Sequence, residues 1–181
     1  MVERAVQFAA KAHSGQKRKG VPIPYILHPM EVAVIVSEMT IDEEVIVAAI
    51  LHDTLEDCKE VTKEILLEQF GTRVVSLIEA ESEDKSKTWI ERKQATISHL
   101  QKETRLEVKM IALADKLANL RSMQRDYKKL GEEIFQRFNQ KEPSKIAWYY
   151  QGVKDALSEL KETEAYREYT QLIEEIFQNI I

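Results

Sequence analysis

The sequence predicts an all-α fold, a single-domain helical bundle, on three observations. Apolar residues recur at three- and four-residue spacing along most of the chain. Alternation of period two, the mark of a half-buried strand, is hard to find. Five glycines and four prolines punctuate a chain of 181 residues, which leaves long stretches free to stay helical.

Val2, Ala5, Val6, Ala9 and Ala10 trace one face of a first helix that runs to about Ala12. Residues 15–25 follow as a loop rich in basic residues and helix breakers. Pro29 suits the first turn of a second helix, residues 29 to about 39, with His28 at its entrance. Thr40-Ile41-Asp42-Glu43 reads as a capping box, in which Thr40 and Glu43 each satisfy a free backbone donor. The helix it opens carries an apolar run into His52-Asp53.

Thr62 reads as the next N-cap and Gly71 as that helix's stop. A short helix from 72 to about 80 ends at the polar stretch 81–88, and another spans 89 to about 103. From about 106 to 124 the chain is apolar nearly all round, through Val108, Met110, Ile111, Ala112, Leu113, Ala114 and Leu117. A helix of that kind belongs in the middle of a bundle. Breaks near Gly131 and at Lys141-Glu142-Pro143-Ser144 precede two closing helices. With no repeat, linker or low-complexity tract, residues 1–181 are expected to form one domain. Its core is expected at about 10–125, with the helices of about 131–181 packed on it.

Composition excludes several classes. A chain 44% hydrophobic and 31% charged is ordinary for a globular protein, not a disordered one. A net charge of −5 with interleaved signs argues against a nucleic-acid surface. No apolar run approaches the roughly 20 residues that span a bilayer, so no membrane partner is expected. The one cysteine, Cys58, cannot close an intramolecular disulfide, and with no signal-peptide core a cytoplasmic location is expected.

The chemistry concentrates at Ala48-Ala49-Ile50-Leu51-His52-Asp53-Thr54-Leu55-Glu56-Asp57. There an apolar helix run ends in a histidine beside an aspartate, and two more acids follow within a turn. Burying unpaired charge is costly, and a bound cation would reverse that cost. Asp115, in the apolar helix, is a second charge out of place. His28, His52, Asp53 and Asp115 together make a plausible first shell for a divalent metal, with positions left for water or substrate. Each could instead be a satisfied core or capping residue; the coincidence of three anomalies in three segments favours the metal.

A histidine, an adjacent His-Asp pair and a distant aspartate is the order of metal ligands in the HD-domain phosphohydrolases, which this chain resembles. The likeness extends to the hydrolase domain of the RelA/SpoT alarmone enzymes and its small stand-alone relatives. Ala12-His13-Ser14-Gly15-Gln16-Lys17-Arg18-Lys19 resembles that family's first motif, and Pro24-Tyr25-Ile26-Leu27-His28-Pro29 its second. Leu51-His52-Asp53-Thr54-Leu55-Glu56-Asp57 resembles the third, and Glu83-Asp84-Lys85-Ser86 a substrate-side loop. Leu113-Ala114-Asp115-Lys116-Leu117-Ala118-Asn119-Leu120-Arg121 resembles the last.

The resemblance implies an HD fold that hydrolyses the 3′-pyrophosphate of ppGpp or pppGpp to GDP or GTP plus pyrophosphate. It implies one metal, most often manganese, held by His28, His52, Asp53 and Asp115; iron, zinc, nickel or magnesium would also suit such ligands. By position, Glu56 and Asp57 match the acidic pair that positions and deprotonates the attacking water. Arg18 matches the arginine that packs on guanine, a role suited to a planar cation. Lys85, Lys19, Lys116 and Arg121 would meet substrate phosphates, Asn119 would lie near sugar and phosphate, and Ser122 could add a hydroxyl. The family's synthetase domain does not fit in a chain of this length, so removal of alarmone is expected, not its synthesis.

Ala118 stands where many alarmone hydrolases carry histidine or tyrosine, and Val21-Pro22-Ile23 is not the commonest form of its loop. Two rivals therefore stay open: the same site acting on another phosphorylated nucleotide such as NADPH, or a nucleotide-binding module with a vestigial site. The sequence leaves oligomeric state open, a homo-oligomer included. His13 is expected to pack or hydrogen-bond near the loop, His99 to be exposed, and Cys58 to be a small packed side chain. Trp89, Trp148, Tyr149 and Tyr150 are expected in the core.

Overall fold

The computed structural model describes residues 1–80, 84–178 and 180. Its elements are helices throughout: α1 (Val2–Ala12), α2 (Leu27–Met39), α3 (Glu43–Leu51), α4 (Thr54–Asp57), α5 (Lys63–Phe70) and α6 (Thr72–Glu79), then α7 (Trp89–Lys102), α8 (Leu106–Leu130), α9 (Pro143–Ala156) and α10 (Glu164–Phe177). Short 3-10 turns at Gly131–Arg137 and Ser158–Leu160 join the last three. Among the described residues the only β-type pairing is an isolated bridge between Lys17 and Pro24. The expected all-α class holds.

The chain divides into two compact units, residues 1–82 with 110–115, and residues 83–109 with 116–181. In the first, α3 is central, with α1, α2 and α6 packed on it and α5 packed on α6. The apolar run decides this arrangement. Val45, Val47, Ala48, Ala49, Ile50 and Leu51 are all buried, so α3 has almost no solvent face and needs neighbours on every side. In the second unit α7 and α10 pack on α9. The long helix α8 gives its stretch 110–115 to the first unit and the rest to the second.

Several boundaries differ from the sequence reading. The cap of α3 is Asp42, whose carboxylate accepts from the Glu44 amide at 3.0 Å; Thr40 instead accepts from the Asp42 amide at 3.1 Å. Asp42 is the residue immediately before the helix, where its carboxylate reaches the second helical amide, and it takes the role expected of Thr40. Helix α2 begins at Leu27, so His28 lies inside its first turn and not at its entrance. Helix α8 runs on to Leu130, past the expected end near 124, because Gly131 in a positive-φ conformation (φ 58°) is the first residue to stop it. Thr62 and Gly71 cap α5 as expected, with Gly71 at φ 87°.

Candidate functional site: a histidine–aspartate cluster

All four expected metal ligands fall in the first unit. His52 caps the C-terminus of α3, Asp53 begins the turn into α4, His28 sits in the first turn of α2, and Asp115 comes from α8. Elements distant in sequence thus deliver one polar group into an apolar surround. The ligand atoms of His28, His52 and Asp53 lie within 4.8 Å of one another. His52 Nε2 is 3.0 Å from Asp53 Oδ2, and His28 Nε2 is 3.5 Å from the same oxygen. Asp115 Oδ1 lies 3.0 Å from His28 Nε2 and 3.9 Å from His52 Nε2. Both histidines and Asp115 are buried.

The donor set fits a divalent cation on its own geometry. His52 Nδ1 is 2.8 Å from the Ala49 carbonyl, which can only accept, so Nδ1 carries a proton and Nε2 is the nitrogen left to face a metal, which would displace any proton held there. That Nε2 is buried and makes no hydrogen bond of proper geometry, although Asp53 is close. Burial pushes the His52 imidazole down, but the Asp53 and Asp115 carboxylates outweigh it and raise it to about 9. Burial raises Asp53, and His52 more than offsets that, leaving the Asp53 carboxyl below its ordinary range. The two carboxylates therefore draw positive charge toward the position that a metal would take.

The expected water-handling acids follow within a turn on α4. Glu56 is half-buried and Asp57 exposed, and the Asp57 carbonyl accepts from Gln16 Nε2 at 3.1 Å. Of the expected nucleotide contacts, Arg18 and Lys19 belong to the first unit, in the loop between α1 and α2. That loop is pinned by Arg18 N to Ile23 O and Tyr25 N to Gln16 O, both 2.9 Å.

Lys85, Lys116, Asn119 and Arg121 belong to the second unit. Lys85 is exposed, whereas Lys116 and Asn119 are half-buried on α8. Arg121 donates to Glu168 from Nε at 2.7 Å and from Nη2 at 2.6 Å, a forked carboxylate pair. Ala118 is fully buried, so a change there acts through packing. In the expected loop motif Glu83 lies outside the described residues, as do 81 and 82 of the polar stretch.

His13 is buried with Nδ1 2.8 Å from Gln16 Oε1, and His99 is exposed. Cys58 is buried as expected, with Sγ 3.4 Å from His13 Nδ1, a neighbour 45 residues away that sequence could not supply. Burial pushes its thiol up, which disfavours the nucleophilic thiolate. Tyr149 and Tyr150 are buried as expected, but Trp148 is 39% exposed. The buried face of α9 is 146, 147, 149, 150, 153 and 156, and Trp148 falls off it.

The residue that the sequence reading gave no role is Tyr25. Its hydroxyl donates to Asp53 Oδ2 at 2.6 Å. Burial first, then Asp53, push the phenol far above its ordinary range, so it stays a neutral donor. Its place beside His28 in the second motif was the only sign.

Known proteins resemble the chain at both levels. A guanosine-3′,5′-bis(diphosphate) 3′-pyrophosphohydrolase of Aquifex aeolicus is 49% identical over 78 residues, 43% of this chain. The chain spans only 11% of that relative's length, and 17% of a similarly named one from Vibrio cholerae. The pyrophosphohydrolase MESH1 of Xenopus tropicalis is 39% identical over 128 residues, 69% of this chain and 70% of that one. A solved structure described as a metazoan ortholog of SpoT that hydrolyzes ppGpp shares 30% identity. It superposes at a TM-score of 0.76 over 98% of this chain and 93% of its own. The HD-domain family model matches residues 5–144, and the chain belongs to that family.

Proposed function

We propose that the chain is a metal-dependent hydrolase that removes the 3′-pyrophosphate of ppGpp or pppGpp, yielding GDP or GTP and pyrophosphate. One observation carries the reading. A group of two buried histidines, His28 and His52, and the half-buried Asp53, with Asp115 3.0 Å from His28, sits in an HD-family chain alike over most of its length to a named pyrophosphohydrolase. These four residues would hold one divalent ion, which we take to be Mn2+; when bound it supplies Lewis acidity toward water and phosphoryl oxygens.

The remaining steps belong to the protein. Glu56 and Asp57 orient a water and accept its proton as its oxygen bonds to the phosphorus next to ribose O3′. The O3′–P bond breaks, and O3′ leaves with a proton as the free hydroxyl. Arg18 packs on guanine, while Lys19, Lys85, Lys116 and Arg121 meet phosphates and Asn119 the sugar side. Arg121 would do so while sharing its charge with Glu168. In this reading residues 1–181 work as one hydrolase domain, and the single free thiol suits a reducing, cytoplasmic setting.

A nucleotide panel tests the substrate. With saturating Mn2+, ppGpp and pppGpp should be turned over far faster than NADPH or simple nucleoside diphosphates. Preference for NADPH would keep the metal site and overturn the alarmone assignment. Binding of ppGpp without turnover of any nucleotide would make the chain a binding module.

A further inference from the structure

We infer that Tyr25 is a positioning residue that serves both ends of the site at once, through its hydroxyl and through its ring. The hydroxyl fixes Asp53 for the metal, and the ring supports the basic loop that carries Arg18. The inference builds on the metal reading proposed above.

Three contacts carry it. The Tyr25 hydroxyl donates to Asp53 Oδ2 at 2.6 Å, the same oxygen that lies 3.0 Å from His52 Nε2 and 3.5 Å from His28 Nε2. A carboxylate oxygen has two lone pairs, so a phenol on one leaves the other for a cation. Hydrogen bonds from a neighbouring group to a ligating carboxylate orient it and hold it in one rotamer.

The ring faces the other way in function. The Arg18 guanidinium carbon lies 5.9 Å from its centroid, within cation–π range. The same ring stands 5.0 Å from His13 and 5.7 Å from His28. The Tyr25 amide closes the loop on Gln16 O. One half-buried side chain therefore touches the metal carboxylate, a metal histidine and the arginine expected at the base.

Two substitutions separate the halves without any nucleotide. Tyr25→Phe keeps the ring and removes the hydroxyl; Mn2+ affinity, titrated calorimetrically on metal-free protein, should fall about 10- to 100-fold. Trypsin cleavage within Lys17-Arg18-Lys19 should stay at the wild-type rate. Tyr25→Leu removes both, so metal affinity should fall equally and cleavage in that run should accelerate several-fold. Equal Mn2+ affinity in wild type and Tyr25→Phe, even with a lowered melting temperature, would overturn the hydroxyl's role. Unchanged cleavage in Tyr25→Leu would overturn the ring's. Wild-type protein that binds no Mn2+ would instead fail the metal site itself, and the hydroxyl's role with it.

Discussion

The two units handle buried charge in opposite ways. In the second, the buried ammonium of Lys109 meets Glu159, and Arg121 meets Glu168, each base closed by an acid of full opposite charge. In the first, Asp53 and Asp115 face imidazoles and a phenol instead. Imidazoles are bases of adjustable charge that keep a lone pair when neutral. A lysine–glutamate pair is complete as built, whereas two carboxylates around two histidines are complete only with a proton or a metal among them. Self-contained pairs hold a fold together; the open set is where chemistry is expected.

Breaking the open set should have the largest effect. Asp53→Ala should abolish stoichiometric Mn2+ binding and lower turnover by about 10^3-fold or more, as loss of several kcal/mol of charge stabilisation implies. Metal content after gel filtration and pyrophosphate release check both together. Glu56→Ala comes next: it should keep one Mn2+ per chain while losing about 10^2- to 10^4-fold in rate, the usual worth of a general base. Retained turnover would remove Glu56 from the water-handling role.

The closed pairs should respond in stability alone. Glu159→Ala leaves the Lys109 ammonium, 3% exposed, without its acid. It should lower the unfolding free energy by about 1–3 kcal/mol, less than for a fully buried pair because Glu159 itself is largely solvated. Lys109→Met should cost less than that, and Mn2+ affinity should not change in either. Denaturant titration reads the first and calorimetry the second.

The smallest effect is a pH dependence in the second unit. The Arg105 guanidinium beside Glu103 holds its carboxyl at about 2, against an ordinary 4.5. The folded value is the depressed one, so this stabilisation is present in full above about 4.5 and is lost as pH falls toward 2. The gap in melting temperature between wild type and Glu103→Gln should therefore be steady above pH 5 and shrink below it.

Much of this was legible in the sequence because it is local. Helical periodicity located α1, α3 and α8, and Thr62 and Gly71 marked the ends of α5. His52 and Asp53 adjoin in sequence, so their shared position at a helix end follows from the chain itself. What stayed hidden is contact at a distance. Tyr25 reaches Asp53 across 28 residues and His13 reaches Cys58 across 45, and no spacing rule encodes either. The cap of α3 went to Asp42 because Thr40 and Asp42 both fit the capping preference, and only backbone geometry chooses between them. Arg121 is expected at the substrate phosphates from its motif, whereas its carboxylate partner Glu168, 47 residues on, has no sign in the spacing.

The most direct test of the central claim is pyrophosphate release from ppGpp by metal-free protein as Mn2+ is titrated in, alongside Asp53→Ala. No release is expected without metal, followed by a rise that saturates at one Mn2+ per chain, with no rise in the variant. Release by metal-free protein, or an unchanged rise in Asp53→Ala, would contradict the claim.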